Sequence, residues 1–157
     1  MATGSDASAS VGFLLWHATL RWQRLISTAL RPLDLTHVQF VLLAVLWWFT
    51  TSLGERPSQR ALAEQAGTDP MMTSQVVRTL ERKGLLVRQR DPADSRALQL
   101  ELTRTGKALA EKAIAVVEAV DQEFFAATAD RDELRRALHV LAALGERPLP
   151  TTLAEAK

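Results

Sequence analysis

The sequence predicts a mainly α fold interrupted by one small β-hairpin, and three observations carry that prediction. Apolar residues recur at helical spacing along most of the 157-residue chain. The period drops to two in a single stretch, residues 85–102, which suits two short strands. Capping and turn-forming residues, among them Pro32, Ser58, Gly67, Asp69-Pro70, Gly84, Thr103 and Asp130, stand where one pattern gives way to the next.

Residues 11–30 place Leu14, Leu15, Ala18, Leu25, Ile26 and Ala29 at helical spacing, with Arg21, Gln23 and Arg24 between them, and predict a first helix. Pro32 interrupts it. Thr36 is placed to cap a second helix that reaches about residue 50 and is apolar nearly all round. Such a helix has to be enclosed on most sides, so it is the expected centre of the core. Gly54 and Pro57 mark residues 51–57 as a connector to a short third helix over 59–66, capped by Ser58. After a turn at Gly67, Asp69 can accept free backbone N–H groups while Pro70 tolerates the first helical position, so a fourth helix begins at Pro70. It closes at Gly84, with Arg82 and Lys83 in the last turn, where the helix dipole favours cations.

Strands over 85–90 and 97–102 follow, the second alternating Leu98, Leu100 and Leu102 against Gln99 and Glu101. The turn-rich segment Asp91-Pro92-Ala93-Asp94-Ser95-Arg96 joins them. Thr103 caps a long fifth helix running to about residue 128, and Asp130 caps a sixth that ends near Gly145. The sixth carries an apolar face of Leu134, Ala137, Leu138, Leu141 and Leu144. Residues 1–10 read as a disordered leader and 146–157 as a flexible tail, leaving 11–145 as one domain. The helices over about 11–31 and 104–145 are long for so small a core, and association with a second copy is the simplest use for them.

The formal net charge of +1 hides an uneven distribution. From Arg78 to Lys107 there are eight basic and four acidic residues, 8 − 4 = +4, whereas from Ala108 to Lys157 there are six basic and nine acidic, 6 − 9 = −3. The basic patch attracts nucleic acid and the acidic end repels it. With no cysteine, disulfides, thiolate metal sites and thiol redox switches are excluded. His17, His37 and His139 are scattered without metal-ligand spacing, so neither a metal nor a cofactor is expected. No nucleophile elbow, P-loop or dinucleotide fingerprint occurs, which argues against an enzyme. The longest apolar run, Phe40 to Phe49, is about half the roughly 20 residues of a membrane span, so a cytoplasmic protein without a membrane partner is expected.

Two short helices joined by a tight glycine turn and followed at once by a basic hairpin form the order of a winged helix-turn-helix, over about residues 36–106. In the fourth helix Thr73, Val76, Val77, Leu80 and Gly84 share one side and Met71, Ser74, Gln75, Arg78 and Arg82 the other. The second set offers amide, hydroxyl and guanidinium groups of the kind that pair with base edges in a major groove. Gln75 and Arg78 are the expected base readers. Arg96, at the hairpin tip, suits a minor groove or a phosphate bridge, with Asp94 bracing it. Arg82, Lys83, Arg88 and Arg90 are expected to neutralise phosphates, and Ser58 and Thr73 complete the set of residues expected at the duplex. Taken singly, Gln75 and Arg78 fit an ordinary solvated helix face and Arg96 an ordinary turn; the surrounding pattern is what favours DNA.

These residues resemble the MarR-type (multiple antibiotic resistance regulator) transcription factors. The most specific part is Asp91-Pro-Ala-Asp94-Ser-Arg96-Ala-Leu-Gln-Leu-Glu-Leu102-Thr103-Arg-Thr-Gly106, which looks like the family's D-x-R wing followed by L-x-L-T-x-x-G. Leu62-Ala63 and Leu80-Glu81-x-x-Gly84-Leu85 support it. The resemblance implies a homodimer held by the terminal helices, each recognition helix in a major groove and each wing tip at a minor groove. It further implies a repressor that releases DNA on binding a small, often aromatic, ligand. Asp69-Pro-Met-Met-Thr-Ser-Gln75 departs from the family, with Pro70 and two Met where many members carry polar or basic side chains.

Trp16, Trp22, Trp47 and Trp48, with His17, Leu20, His37 and Phe40, are candidates to line an effector pocket between the first, second and fifth helices; plain core and dimer packing is the competing reading. A winged-helix module that binds protein rather than DNA is the alternative for the chain as a whole.

Overall fold

A computed structural model describes residues 10–142. The leader and tail expected at 1–10 and 146–157, together with Leu144 and Gly145, lie outside the described residues apart from Ser10. Six α-helices and one hairpin are described: α1 (Val11–Leu30), α2 (His37–Trp48), α3 (Gln59–Ala66), α4 (Pro70–Arg82), β1 (Leu86–Arg90), β2 (Leu98–Leu102), α5 (Arg104–Phe124) and α6 (Arg131–Leu141). The mainly helical class with a small hairpin is the one expected from the sequence.

Helix α2 is the hub. Its Leu42, Leu43, Val45, Leu46, Trp47 and Trp48 are all buried, and it packs against α1, α3, α4, β2 and α5. Thr36 opens it with a reciprocal cap: Gln39 N–H donates to Thr36 Oγ1 at 3.3 Å and Thr36 N–H donates to Gln39 Oε1 at 3.2 Å. The chain before it turns through a 3₁₀ segment, Arg31–Leu33, around Pro32, and Asp34 takes a left-handed φ of 53°. Lys83, at the end of α4, holds that corner by donating to Asp34 O at 2.6 Å and Asp34 Oδ2 at 2.9 Å.

The segment after α2 differs from the connector expected over 51–57. A π-helical turn, Phe49–Leu53, prolongs the helix to Gly54, whose φ of 65° releases the chain. Phe49, at its start, is 1% exposed, and the turn runs on through Thr50, Thr51 and Ser52, with Thr50 Oγ1 donating to Leu46 O at 3.0 Å. At its other boundaries the sequence reading is within a few residues; α5 ends at Phe124 and continues as a 3₁₀ turn, Phe125–Ala127.

The hairpin pairs Leu86 with Leu102 and Arg90 with Leu98, in antiparallel register. A third extended piece joins it, because Leu100 N–H donates to Pro57 O at 2.9 Å and Ser58 bridges Gln99. The base of the hairpin is locked by Thr103, whose hydroxyl donates to Gly84 O at 2.6 Å and accepts from Gly106 N–H at 3.0 Å. Gly106 sits so close to Leu85 that a Cβ there would overlap the Leu85 carbonyl.

The ends of the chain are built differently. Val11, Phe13, Leu14, Leu15 and Trp16 on α1 are exposed, as are Leu138, Val140 and Leu141 on α6. Helix α6 is tied at its first turn by Arg131, which donates to Asp121 O and Gln122 O on α5. Among the described residues, no single helix is long and apolar enough to cross a membrane.

Candidate nucleic-acid interface

Helix α4 is aimed by the turn that precedes it. Gly67, at φ 67°, ends α3 with its N–H on Ala63 O, and Asp69 Oδ1 then accepts from the N–H groups of Met71 (3.0 Å) and Met72 (2.9 Å). Those are the donors that a helix N-terminus leaves open. Thr73 is fully buried: its hydroxyl donates to Asp69 O at 2.8 Å, so the 2.7 Å contact with Thr68 is donated by Thr68. Thr73 therefore supports the turn from beneath. Its expected place at the duplex is corrected, since a side chain with no exposed surface reaches no partner.

Thr73, Val77 and Leu80 face the core. On the opposite side Met71, Gln75, Arg78 and Arg82 are exposed. At roughly 100° per residue these four fall within about 60° of arc, forming one stripe along the helix. Ser74 flanks it, half-buried. Arg82 Nη2 donates to Thr79 Oγ1 at 3.2 Å and stays at the surface.

The wing is a turn braced by its own carboxylates. Asp91 Oδ1 accepts from Ala93 N–H at 2.8 Å, and Asp91 Oδ2 accepts from Gln99 Nε2 at 2.9 Å. Asp94 Oδ1 accepts from the backbone N–H of Arg96 at 3.0 Å. Asp94 thus braces Arg96 as expected, but through the backbone, which leaves the guanidinium to project from the tip. Arg96 is exposed, and so is Arg90, whose Nη1 donates to Ser95 O at 3.4 Å across the loop.

Two cations expected on phosphates are paired with carboxylates of the chain itself. The Arg88 side chain, only 26% exposed, lies on the face of β1 that carries Leu86 and pairs with Glu81 of α4, Nε to Oε2 at 3.3 Å. Alternation along a strand decides this: Arg88 shares the inward side with Leu86, whereas Val87 points out. Lys83 is held by Asp34, as described above. Both side chains tie α4 and the hairpin to neighbouring elements. Ser58 has a similar part: its hydroxyl accepts from Ala61 N–H at 3.1 Å and caps α3.

The residues proposed for an effector pocket are divided by the structure. Trp47 is buried, with its indole N–H on Glu111 Oε1 at 3.2 Å, and belongs to the core. Trp16 and His17 stand on the exposed half of α1, His17 edge-on to Phe13 at 4.3 Å between ring centroids. Leu20 and Phe40 are half-buried. Trp22 and His37 come together, edge-on at 5.1 Å between ring centroids, and the partner that sequence reasoning missed is Asp121, whose Oδ1 accepts from Trp22 Nε1 at 2.7 Å. A separation of 99 residues left no local signal for that bond.

Comparison with known proteins places this geometry. Residues 35–98 match the model of the MarR family. The chain is 44% identical to YdcH of Bacillus subtilis, an uncharacterized HTH-type transcriptional regulator, over 87% of its own length and 92% of the relative's. Rv2887, a MarR family protein of Mycobacterium tuberculosis whose structure was solved in complex with salicylic acid, is 34% identical. It aligns with a TM-score of 0.62 over 87% of this chain and 97% of that one. CouR of Rhodococcus jostii has been solved bound to p-coumaroyl-CoA (26% identity, TM-score 0.75, 92% of this chain and 99% of that one). The same repressor bound to a 23-mer DNA duplex aligns at 27% identity and a TM-score of 0.73, over 88% and 94%. Near-full-length likeness at this identity, on a hairpin and helix pair built as described, makes the chain a member of the MarR family of helix-turn-helix transcriptional regulators, which are not enzymes.

Proposed function

We propose that the chain is a homodimeric, sequence-specific repressor that grips a pseudo-palindromic duplex and lets go when a small aromatic ligand binds. The observation that carries this reading is the exposed stripe of α4, Gln75, Arg78 and Arg82, standing beside a wing whose tip presents Arg96. Gln75 and Arg78 have the donor geometry for adenine and guanine edges, while Arg82, Arg90 and Arg96 neutralise phosphates or enter the narrower groove. The DNA complex of CouR supports the same use of the same fold.

Two reading heads serve half-sites about one helical turn, roughly 34–36 Å, apart. The apolar halves of α1 and α6 supply the means of pairing, because a chain on its own leaves them wet. On pairing, the partner covers the exposed part of α1, and Trp16, His17, Leu20 and Phe40 become the walls of a ligand site that neither chain completes alone. Salicylate on Rv2887 and p-coumaroyl-CoA on CouR support an aromatic acid or its conjugate as the ligand class.

The test is a fluorescence-anisotropy titration on a duplex obtained by selection from a random pool. Replacing Arg78 and Arg96 together by Ala removes two guanidinium contacts, each worth about 1–3 kcal/mol, so affinity should fall by about 30-fold or more. Wild-type affinity in the double variant would show that the reading head is misassigned. Aromatic acids added to the complex should release the duplex and raise the melting temperature of the free protein; if none does either, the ligand half of the reading is lost and the repressor half stands.

A further inference from the structure

Met71 is 74% exposed, and it lies in the same narrow stripe as Gln75 and Arg78, one turn and two turns toward the N-terminus of α4 respectively. A large apolar side chain left in water at that position has no packing role, yet its backbone is held firmly. Its N–H is on Asp69 Oδ1 at 3.0 Å, and Pro70 sets the dihedral angle of the residue before it. The N-terminal residues of a recognition helix are the ones that meet base edges in the major groove. There the bases present hydrogen-bonding groups and a single apolar feature, the C5-methyl of thymine. A thioether set against a donor or acceptor would desolvate it without replacing its hydrogen bond, whereas against the methyl it loses nothing and buries apolar surface.

We propose that Met71 is a specificity-determining residue that reads a thymine methyl in each half-site. This rests on the DNA-reading assignment of α4 made above. The helix also sets the spacing. With about 1.5 Å of rise per residue, Met71 and Gln75 are separated by about 6 Å and Gln75 and Arg78 by about 4.5 Å. Base pairs are about 3.4 Å apart. Projected on the duplex axis these rises are upper bounds, so the half-site carries a thymine within about two steps of the adenine read by Gln75, on the side away from the guanine read by Arg78.

Deoxyuridine substitution tests this atom by atom, because it removes the methyl and leaves every hydrogen-bonding group in place. Operators are selected from a random pool with the full chain, and each half-site thymine is then replaced in turn. One replacement, within the range just given, should weaken wild-type binding about three- to five-fold per half-site. Met71→Ser should be indifferent to that replacement, and Met71→Leu, which stays apolar, should keep most of the sensitivity. Equal melting temperatures for the three proteins confirm that folding is not being read. If every deoxyuridine is silent for wild type, or if Met71→Ser shows the same loss, Met71 does not read the methyl. In that case the paired Arg78→Ala and Arg96→Ala loss still upholds the reading head. If that loss is absent as well, both assignments fall together.

Discussion

Helices α4 and α1 each hold a face away from the core, and the two faces have opposite chemistry. On α4 the outward stripe is mostly polar and cationic, and its backbone is pinned at both ends, by Asp69 at the start and by the Lys83 tie to Asp34 at the finish. On α1 the outward residues Val11, Phe13, Leu14, Leu15 and Trp16 are apolar, and the Ser10 side chain makes no capping bond. A rigid, polar face is suited to reading a partner that is itself rigid and charged. The apolar face of α1 is suited to burial against a second copy. The same contrast separates the wing, braced by Asp91 and Asp94, from α6, tied to α5 at its first turn. Preorganised polar groups give specificity, and loosely held apolar ones give association.

The sharpest way to break the rigid region is at Gly106. Gly106→Ala places a methyl group into the Leu85 carbonyl, where backbone rather than a flexible side chain has to move. A loss of more than about 3 kcal/mol is expected in chemical denaturation, at the upper end of overpacking effects.

The apolar region is tested by charge. Leu14→Glu with Leu141→Glu places carboxylates on both exposed helices, at side chains 53% and 71% exposed in the single chain. Sedimentation should show the dimer giving way to monomer. Operator affinity should fall by about 100-fold, since the second half-site no longer benefits from being linked to the first. Unchanged dimerisation would place the interface elsewhere and remove the contrast drawn above.

A smaller effect is expected where the recognition helix meets the wing. Glu81→Gln leaves the half-buried Arg88 guanidinium without its counter-charge, and stability should drop by about 1 kcal/mol in thermal melts. A neutral outcome would mean that the pair contributes alignment and no net stability.

The smallest effect concerns His37, at the junction of α1, α2 and α5. Burial lowers its pKa below the usual 6.5, and the nearby Asp121 carboxylate opposes part of that shift. The folded state therefore favours the neutral ring, while the unfolded chain takes up a proton once the pH falls below about 6.5. Its contribution to stability is complete above that value and declines as pH drops through the lowered folded value. Melting temperatures at about pH 7.5 and about pH 5 should differ by less in His37→Gln than in wild type. Equal differences would remove His37 as the source.

Much of this was legible along the chain. Thr36, Ser58, Asp69, Thr103 and Asp130 were each read as N-caps and each accepts the backbone N–H that a cap requires. Capping joins residues two or three apart, so sequence alone displays both partners. The stripe of α4 and the alternation of β2 were legible for the same reason, since a helix or strand period is a local property.

What the sequence could not display is what lies across the fold. Basic residues read as one patch were sorted by the tertiary structure into Arg78, Arg82, Arg90 and Arg96, which face water, Lys83, which is exposed but paired with Asp34, and Arg88, which is half-buried against Glu81. Trp47 lies buried in the core, and the partner of its indole N–H, Glu111, stands 64 positions away. Residues 51–53, read as part of a connector, continue α2 as a π-helical turn that ends at Gly54. The sequence by itself determined the order of elements, their caps and the outward stripe of α4, all set by contacts within a few residues. Only the tertiary structure decided which charges remain free for a partner, because that depends on packing between segments far apart in the chain.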